Sequence, residues 1–208
     1  AVIASEVMTK DFFDIVRKAG AEPLAVGETG FRQLSNSKRP VIKPEDVKGV
    51  KYRVMQNPVY IDMFSSLGGN AVPMAWGETF TAVQQGTIDG LEIPIAVIDS
   101  SKYNEVTKFL SLTNHTYSMI ALLVSKRTLD KLPKDLQAVV REAGHTAGGA
   151  QRAAAGANAK ALVDTLAGKG MKVNKVADVA PFRNSVKPVY DKFKGTIGAD
   201  LMNDVLSM

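Results

Sequence analysis

Three residues in this chain are placed to hold an anion. Arg53 occupies an outward position of the alternating segment Val50-Lys51-Tyr52-Arg53-Val54-Met55, whose Val50, Tyr52 and Val54 share the apolar face. Arg32 stands just past a short strand-like stretch, at the head of a run rich in Ser and Asn, Gln33-Leu34-Ser35-Asn36-Ser37. Trp76, the only tryptophan, follows a short strand and precedes a helix start. A guanidinium is planar, permanently charged and forked, so it pairs bidentately with a carboxylate. In open α/β sheets ligands bind beyond the carboxyl ends of strands. The competing reading is two surface arginines, each paired with a nearby Asp or Glu.

Residues suited to catalysis are harder to find. The absence of cysteine excludes thiol chemistry, a disulfide framework and Cys-ligated zinc. No phosphate loop, dinucleotide fingerprint, H-E-x-x-H or G-x-S-x-G occurs. The two histidines, His115 and His145, are neither adjacent nor at metal-ligand spacing, and His145 reads as a surface residue. Glu45-Asp46 opens a helical turn, where acids suit the macrodipole. Asp89 and Glu92 flank a turn, and both acidic pairs have a structural explanation. No metal site, cofactor site or nucleophile–base constellation emerges, so the chain reads as a binding protein and not an enzyme. The 26 basic and 21 acidic residues leave a net charge of +5, scattered rather than clustered, which gives no nucleic-acid surface. Its composition, 45% hydrophobic and 23% charged, is that of a globular protein. The longest apolar run, Met119 to Val124, falls far short of the ~20 residues that span a bilayer. The opening Ala1-Val2-Ile3-Ala4-Ser5-Glu6, without initiator methionine or signal peptide, reads as a processed chain or a fragment.

The elements that must position these residues alternate between strand and helix. The spacing predicts a helix from Glu6 to Ala19 stopped by Gly20, a strand at Leu24-Ala25-Val26, and a turn over Gly27 to Gly30. Val50 to Met55 is a strand, followed by a helix opened by Asn57-Pro58 and a short strand at Ala71 to Met74. A helix over Glu78 to Gln85 ends at Gly86. Two further strands cover Lys108 to Leu112 and Ser118 to Val124. Pro133 opens a helix running to Ala167, with Leu136, Val139, Val140 and Ala143 on its apolar face and a small-residue stretch from Gly148 to Gly156 that permits close backbone approach. At ~1.5 Å per residue it reaches ~50 Å, too long for one small lobe. An αβα-like tail runs from Met171 to Met208. This alternation predicts an α/β fold with mostly parallel pairing.

The order of short motifs adds a family resemblance. Gly30-Phe31-Arg32-Gln33, Pro44-Glu45-Asp46-Val47-Lys48-Gly49-Val50-Lys51-Tyr52-Arg53-Val54 and Leu67-Gly68 come first. Pro73-Met74-Ala75-Trp76-Gly77-Glu78, Ala82-Val83-Gln84-Gln85-Gly86, Asp89-Gly90-Leu91-Glu92-Ile93-Pro94, Thr113-Asn114-His115 and Leu132-Pro133-Lys134-Asp135-Leu136-Gln137 follow. Together they resemble the solute-binding proteins of tripartite ATP-independent periplasmic (TRAP) transporters, of the C4-dicarboxylate-binding type. The resemblance implies a two-lobe periplasmic-binding-protein-like fold around a cleft, with a long helix spanning both lobes. It puts 1–29 and 117–157 in an incomplete lobe I, and 30–116 and 158–208 in lobe II. It also implies that about a third of the mature chain, with the leading strands of lobe I, precedes the segment seen here.

Carried over residue by residue, the resemblance makes Arg53 the clamp for a ligand carboxylate and Arg32 a second cationic contact. Trp76 would pack on the ligand's carbon skeleton, with core packing the equal alternative. His115 would line the pocket or serve as a structural histidine. Ile93 departs from the polar amide of many members, which favours a ligand with an apolar or aromatic portion there. The implied function is periplasmic capture of a small organic acid anion for delivery to the TRAP membrane subunits, with no cofactor. A cytoplasmic ligand-sensing module and a small-molecule enzyme on a similar scaffold are the alternatives, though no DNA-binding segment is visible.

Overall fold

A computed structural model of the chain describes Ser5 and residues 7–207. The opening residues 1–4, the start of the expected first helix at Glu6, and Met208 at the end of the expected tail lie outside the described residues. The strands are β1 (Ala21–Asn36), β2 (Lys51–Val54), β3 (Asn70–Pro73), β4 (Gly90–Pro94), β5 (Phe109–Ser125) and β6 (Lys172–Lys175). The helices are α1 (Phe13–Lys18), α2 (Pro58–Ser66), α3 (Trp76–Gln84), α4 (Ile95–Ser100), α5 (Lys126–Leu129), α6 (Lys134–Gly168), α7 (Ala180–Ser185), α8 (Lys187–Ile197) and α9 (Ala199–Leu206). Two compact units share them. Unit 1 comprises Ala1–Thr29, Met119–Ala157 and Lys194–Met208; unit 2 comprises Gly30–Ser118 and Asn158–Phe193. The C-terminal α9 packs against the π-helical stretch Val7–Phe12, so 194–208 groups with unit 1, where the resemblance assigns 158–208 to lobe II.

Unit 2 is built on a mixed sheet in the order β3-β2-β4-β1-β5-β6. The pairs β2–β3, β2–β4 and β5–β6 are parallel, and β1 runs antiparallel to β4. Alternation along β4 sends Leu91 and Ile93 to one face and Glu92 to the other. The first face packs with Ala82, Val83, Ile88, Ile98, Tyr103, Leu110, Leu166 and Met171. The second packs Leu34, Tyr52 and Val54 against Val41, Val47, Val50 and Phe64. The sheet is therefore covered on both sides, and fully burying a side chain such as Phe64 contributes about 1.5–3 kcal/mol. Local signals act as the sequence predicts. Asn57 caps α2 by accepting from the Val59 N–H at 2.9 Å, ahead of Pro58. Gly90 admits β1 beside it, since a Cβ there would lie 2.1 Å from the Ser35 carbonyl oxygen.

Two predicted breaks are absent. The turn expected over Gly27 to Gly30 is strand, because β1 continues from Ala21 through Asn36 with Gly30 at φ +87° absorbing the local distortion. The two strands expected at 108–112 and 118–124 are likewise one, β5, with Asn114 in the left-handed region at φ 46°. Turn-rich composition marked a kink inside each strand rather than its end.

In unit 1, α6 meets β1 through its smallest residues. A Cβ on Gly144 would sit 2.5 Å from Leu24 Cβ, and one on Gly148 2.4 Å from Ala25 Cβ. Behind Gly27, Gln151 accepts from the Glu28 N–H at 2.8 Å and donates to the Glu28 carbonyl at 2.7 Å, while Arg152 donates to the Val26 carbonyl. The predicted apolar face of the helix is consequently turned outward: Leu136 is 46% exposed and Val139 61%. The helix uses backbone proximity instead of large side chains for this contact. Its 35 residues give a length of about 52 Å at 1.5 Å per residue, as the sequence predicts. No described helix is long and apolar enough to cross a membrane.

Candidate functional site

Arg53 lies in β2 and is only 5% exposed. Parallel pairing sets Val54 opposite Pro73, which brings the chain just beyond β3 alongside the guanidinium. Its Nε and Nη2 donate to the Met74 carbonyl at 2.9 and 2.8 Å. The guanidinium carbon stands 5.6 Å from the centre of the Trp76 ring, a cation–π distance. Burial pushes the arginine's pKa below its ordinary value; the Glu92 charge and Tyr103 pull it back up, and Arg32 opposes them. Among the described residues, no carboxylate comes within salt-bridge distance of it. A desolvated cation held by a neutral carbonyl is incompletely compensated.

Arg32 is placed differently from the sequence expectation. It lies inside β1, opposite Pro94, and not in a loop. The Ser and Asn residues that signalled a loop are buried and used internally: Ser35 bonds the Thr107 hydroxyl at 2.7 Å, and Asn36 Oδ1 accepts from the Lys38 and Arg39 N–H groups. Arg32 is 7% exposed and closes a fork on the fully buried Glu92. Its Nε meets Glu92 Oε2, and its Nη2 donates to Oε1 at 2.8 Å and to the Glu92 carbonyl at 2.7 Å. Its Nη1 donates to Ser118 Oγ at 3.1 Å, and its guanidinium lies 5.5 Å from the Tyr60 ring centre.

His115 joins the same cluster. Its Nε2 is 3.3 Å from Glu92 Oε2 and its Nδ1 2.7 Å from Thr113 Oγ1. In the neutral ring, the nitrogen facing the carboxylate donates and the other accepts from the threonine hydroxyl. Phe64 stands edge-on to the imidazole at 6.3 Å.

The structure thus brings Arg53 to Trp76, and Arg32 to His115 through Glu92. Register separates the two groups. Arg53 pairs with Leu91 and Arg32 with Pro94, positions three apart in β4 that face opposite sides of the sheet. Ile93 is 4% exposed and packs with Leu91 in the core. Trp76 opens α3 and is 44% exposed, with its ring 5.6 Å from that of Tyr103. Glu92, Tyr60, Ser118 and Tyr103 were not picked out by sequence as site residues. Arg32 and Glu92 are sixty positions apart, and no local pattern ties them. Among the described residues, no group of three His, Cys, Asp or Glu side chains is arranged to hold a metal ion. His145 is exposed on α6, as its sequence setting predicts.

The profile of the bacterial extracellular solute-binding protein family 7 (DctP) matches residues 1–196. The chain belongs to this family. Among the relatives of this family 7 chain is a solute-binding protein of Verminephrobacter eiseniae, 40% identical over 205 residues, covering 99% of this chain and 60% of the relative. The 2,3-diketo-L-gulonate-binding periplasmic protein YiaO of Escherichia coli is 35% identical over 189 residues, covering 89% of this chain and 58% of its own length. A TRAP periplasmic solute-binding protein from Polaromonas, solved bound to D-erythronate, superposes with a TM-score of 0.92 at 38% identity, covering 98% of this chain and 67% of that one. One from Sulfitobacter with bound beta-D-galacturonate gives a TM-score of 0.91 at 32% identity, covering 97% and 67%. The family 7 chain therefore shares the two-lobe α/β fold of TRAP solute-binding proteins. It spans about three fifths of the length of the curated relatives it matches. Those relatives are named as binding proteins, YiaO for 2,3-diketo-L-gulonate, and the two solved neighbours hold D-erythronate and beta-D-galacturonate.

Proposed function

We propose that this chain is a periplasmic solute-binding protein that captures a small organic carboxylate on Arg53 and delivers it to TRAP transporter membrane subunits. The observation that carries the reading is the buried guanidinium of Arg53, bonded to a neutral carbonyl and lacking a carboxylate partner among the described residues. A ligand carboxylate supplies the missing charge and forms charge-assisted bonds in a low-dielectric setting. The half-exposed Trp76 ring beside it offers a flat apolar surface to the ligand's carbon skeleton. Ile93, on the same face of β4 as Leu91, backs the site from the core with no hydrogen-bonding group, while Arg32 and His115, fixed by Glu92, offer a second polar cluster on the other face of the sheet. The step is capture without covalent chemistry. The organic acids named for the relatives, D-erythronate, beta-D-galacturonate and 2,3-diketo-L-gulonate, all fit an anchor of this kind.

The test is a thermal-shift panel of these acids and D-glucuronate. A ligand at one hundred times its Kd stabilises the folded chain by about 2.7 kcal/mol. At least one acid raises the melting temperature of the parent chain, and the same acid leaves Arg53→Ala unshifted. A shift of equal size in Arg53→Ala, or no shift with any small carboxylate, refutes the assignment.

A further inference from the structure

Trp76 is poorly held by its own helix. It is the first residue of α3, whose N-cap, Ala75, has no side chain that can close the first turn. Yet its ring is set against Arg53 at a defined distance. The support comes from Tyr103, which is 1% exposed and is the first residue of the 3₁₀ turn Tyr103–Glu105. The Tyr103 ring lies 5.6 Å from Trp76 at an interplanar angle of 51°, and 5.5 Å from Phe80 at 60°, so it is wedged between two aromatic residues of α3. Its phenol also interacts with the side chain of the buried Thr79, whose hydroxyl donates to the Ala75 carbonyl at 3.0 Å. Both contacts converge on the first turn of the helix: one on the Trp76 ring, the other on the peptide group just before it.

The turn that carries Tyr103 is anchored independently of α3. Lys102 takes the left-handed conformation, φ 57°, that lysine rarely adopts, and this aims the next residue inward. The Tyr103 carbonyl accepts from the Thr107 hydroxyl at 2.8 Å, and that hydroxyl is 2.7 Å from Ser35 Oγ on β1. The aromatic wedge is therefore tied to the strand next to β4 and not to the helix it supports. Burial pushes the Tyr103 phenol up to about 12, with the Arg53 charge and the Thr79 hydrogen bond pulling the other way. The hydroxyl thus stays neutral while lying in the field of the guanidinium.

We propose that Tyr103 is a positioning residue that fixes the plane of Trp76 against Arg53 and so sets how tightly the site holds a ligand's carbon skeleton. The effect on affinity rests on the carboxylate reading above; the coupling of Tyr103 to Trp76 does not. Without the wedge, Trp76 samples several rotamers and must be ordered when a ligand arrives.

Because Trp76 is the only tryptophan, its fluorescence reports this coupling in the ligand-free protein. In Tyr103→Leu the emission moves to the red and neutral acrylamide quenches it more strongly. Tyr103→Phe, which keeps the ring and loses only the hydroxyl, moves it less. Phe80→Leu, which frees the far face of Tyr103, gives a small change in the same direction and serves if Tyr103→Leu does not fold. Parent-like emission and quenching in a folded Tyr103→Leu overturn the proposal, as does a Tyr103→Phe shift as large as that of Tyr103→Leu. With D-galacturonate as probe, Tyr103→Leu weakens binding by about three- to ten-fold, the equivalent of ordering one side chain on association. If the fluorescence contrast is found but no acid binds in an Arg53-dependent way, the coupling stands and the carboxylate assignment falls. If Arg53-dependent binding is found without the contrast, the reverse holds.

Discussion

Replacing Glu92 by Gln isolates the cost of the buried charge cluster. The Glu92 side chain is fully buried, and its partner Arg32 is 8% exposed at the side chain. The substitution removes the one carboxylate that meets Arg32 among the described residues and turns an amide NH₂ toward guanidinium N–H groups that need an acceptor. The guanidinium keeps the Ser118 hydroxyl and the Glu92 main-chain carbonyl, two neutral acceptors. Breaking a buried ion pair by removing one member costs about 3–5 kcal/mol, because the remaining charge is left uncompensated. Replacing both members by apolar residues, Arg32→Met with Glu92→Leu, removes the charge along with the need for it and lies much closer to neutral. With the single variants Arg32→Met and Glu92→Leu as its other corners, the double-mutant cycle then gives a coupling of at least about 2 kcal/mol. Urea unfolding measures it: with m near 2 kcal/mol per molar, Glu92→Gln lowers the midpoint by about 1.5–2.5 M at unchanged m. A loss below about 1 kcal/mol, the value for an exposed pair, refutes the reasoning. So does a double variant that loses as much as the two single variants together.

Close packing and burial yield further expectations. Gly148→Ala forces a Cβ to within 2.4 Å of Ala25 Cβ and destabilises by about 1–3 kcal/mol, while its neighbour Gly149 has nothing within 4 Å. Gly149→Ala accordingly stabilises by up to about 1 kcal/mol through helix propensity, and the opposite signs are read by thermal melting. The raised Tyr103 pKa fixes an alkaline limit. Its contribution is fully present below the ordinary value of 10.0 and is lost as pH rises through about 12, since over that window the unfolded chain has released a proton that the folded chain retains. Tyr52, raised in the same direction by burial, adds to the loss. Urea midpoints falling from pH 10 upward, less steeply in Tyr103→Phe, are the expected result; a flat profile contradicts it.

Periodicity and end signals in the amino-acid order determined the α/β class, the cap at Asn57, the alternation around Arg53 and the length of α6. Each is decided within a few residues by backbone geometry. The ordered motifs from Gly30 to Gln137 likewise carried the family, which the profile match then showed. Local reading failed where a residue's meaning depended on a distant strand. Gly27 and Gly30 resembled a turn because nothing nearby reveals that β5 and α6 lie alongside. Leu136 and Val139 looked like the buried face of α6 because the helix meets β1 through glycine instead. An acidic partner for Arg32 was among the readings, but that it is the buried Glu92 was not legible, because Glu92 arrives from a separate strand only once the β1–β4 register is set. Arg53, with the same side chain and much the same burial, meets a carbonyl at the equivalent moment. One arginine is paired with a carboxylate and the other with a carbonyl, and that difference is fixed by which groups the sheet brings within about 3 Å of each, a quantity that no short stretch of sequence contains.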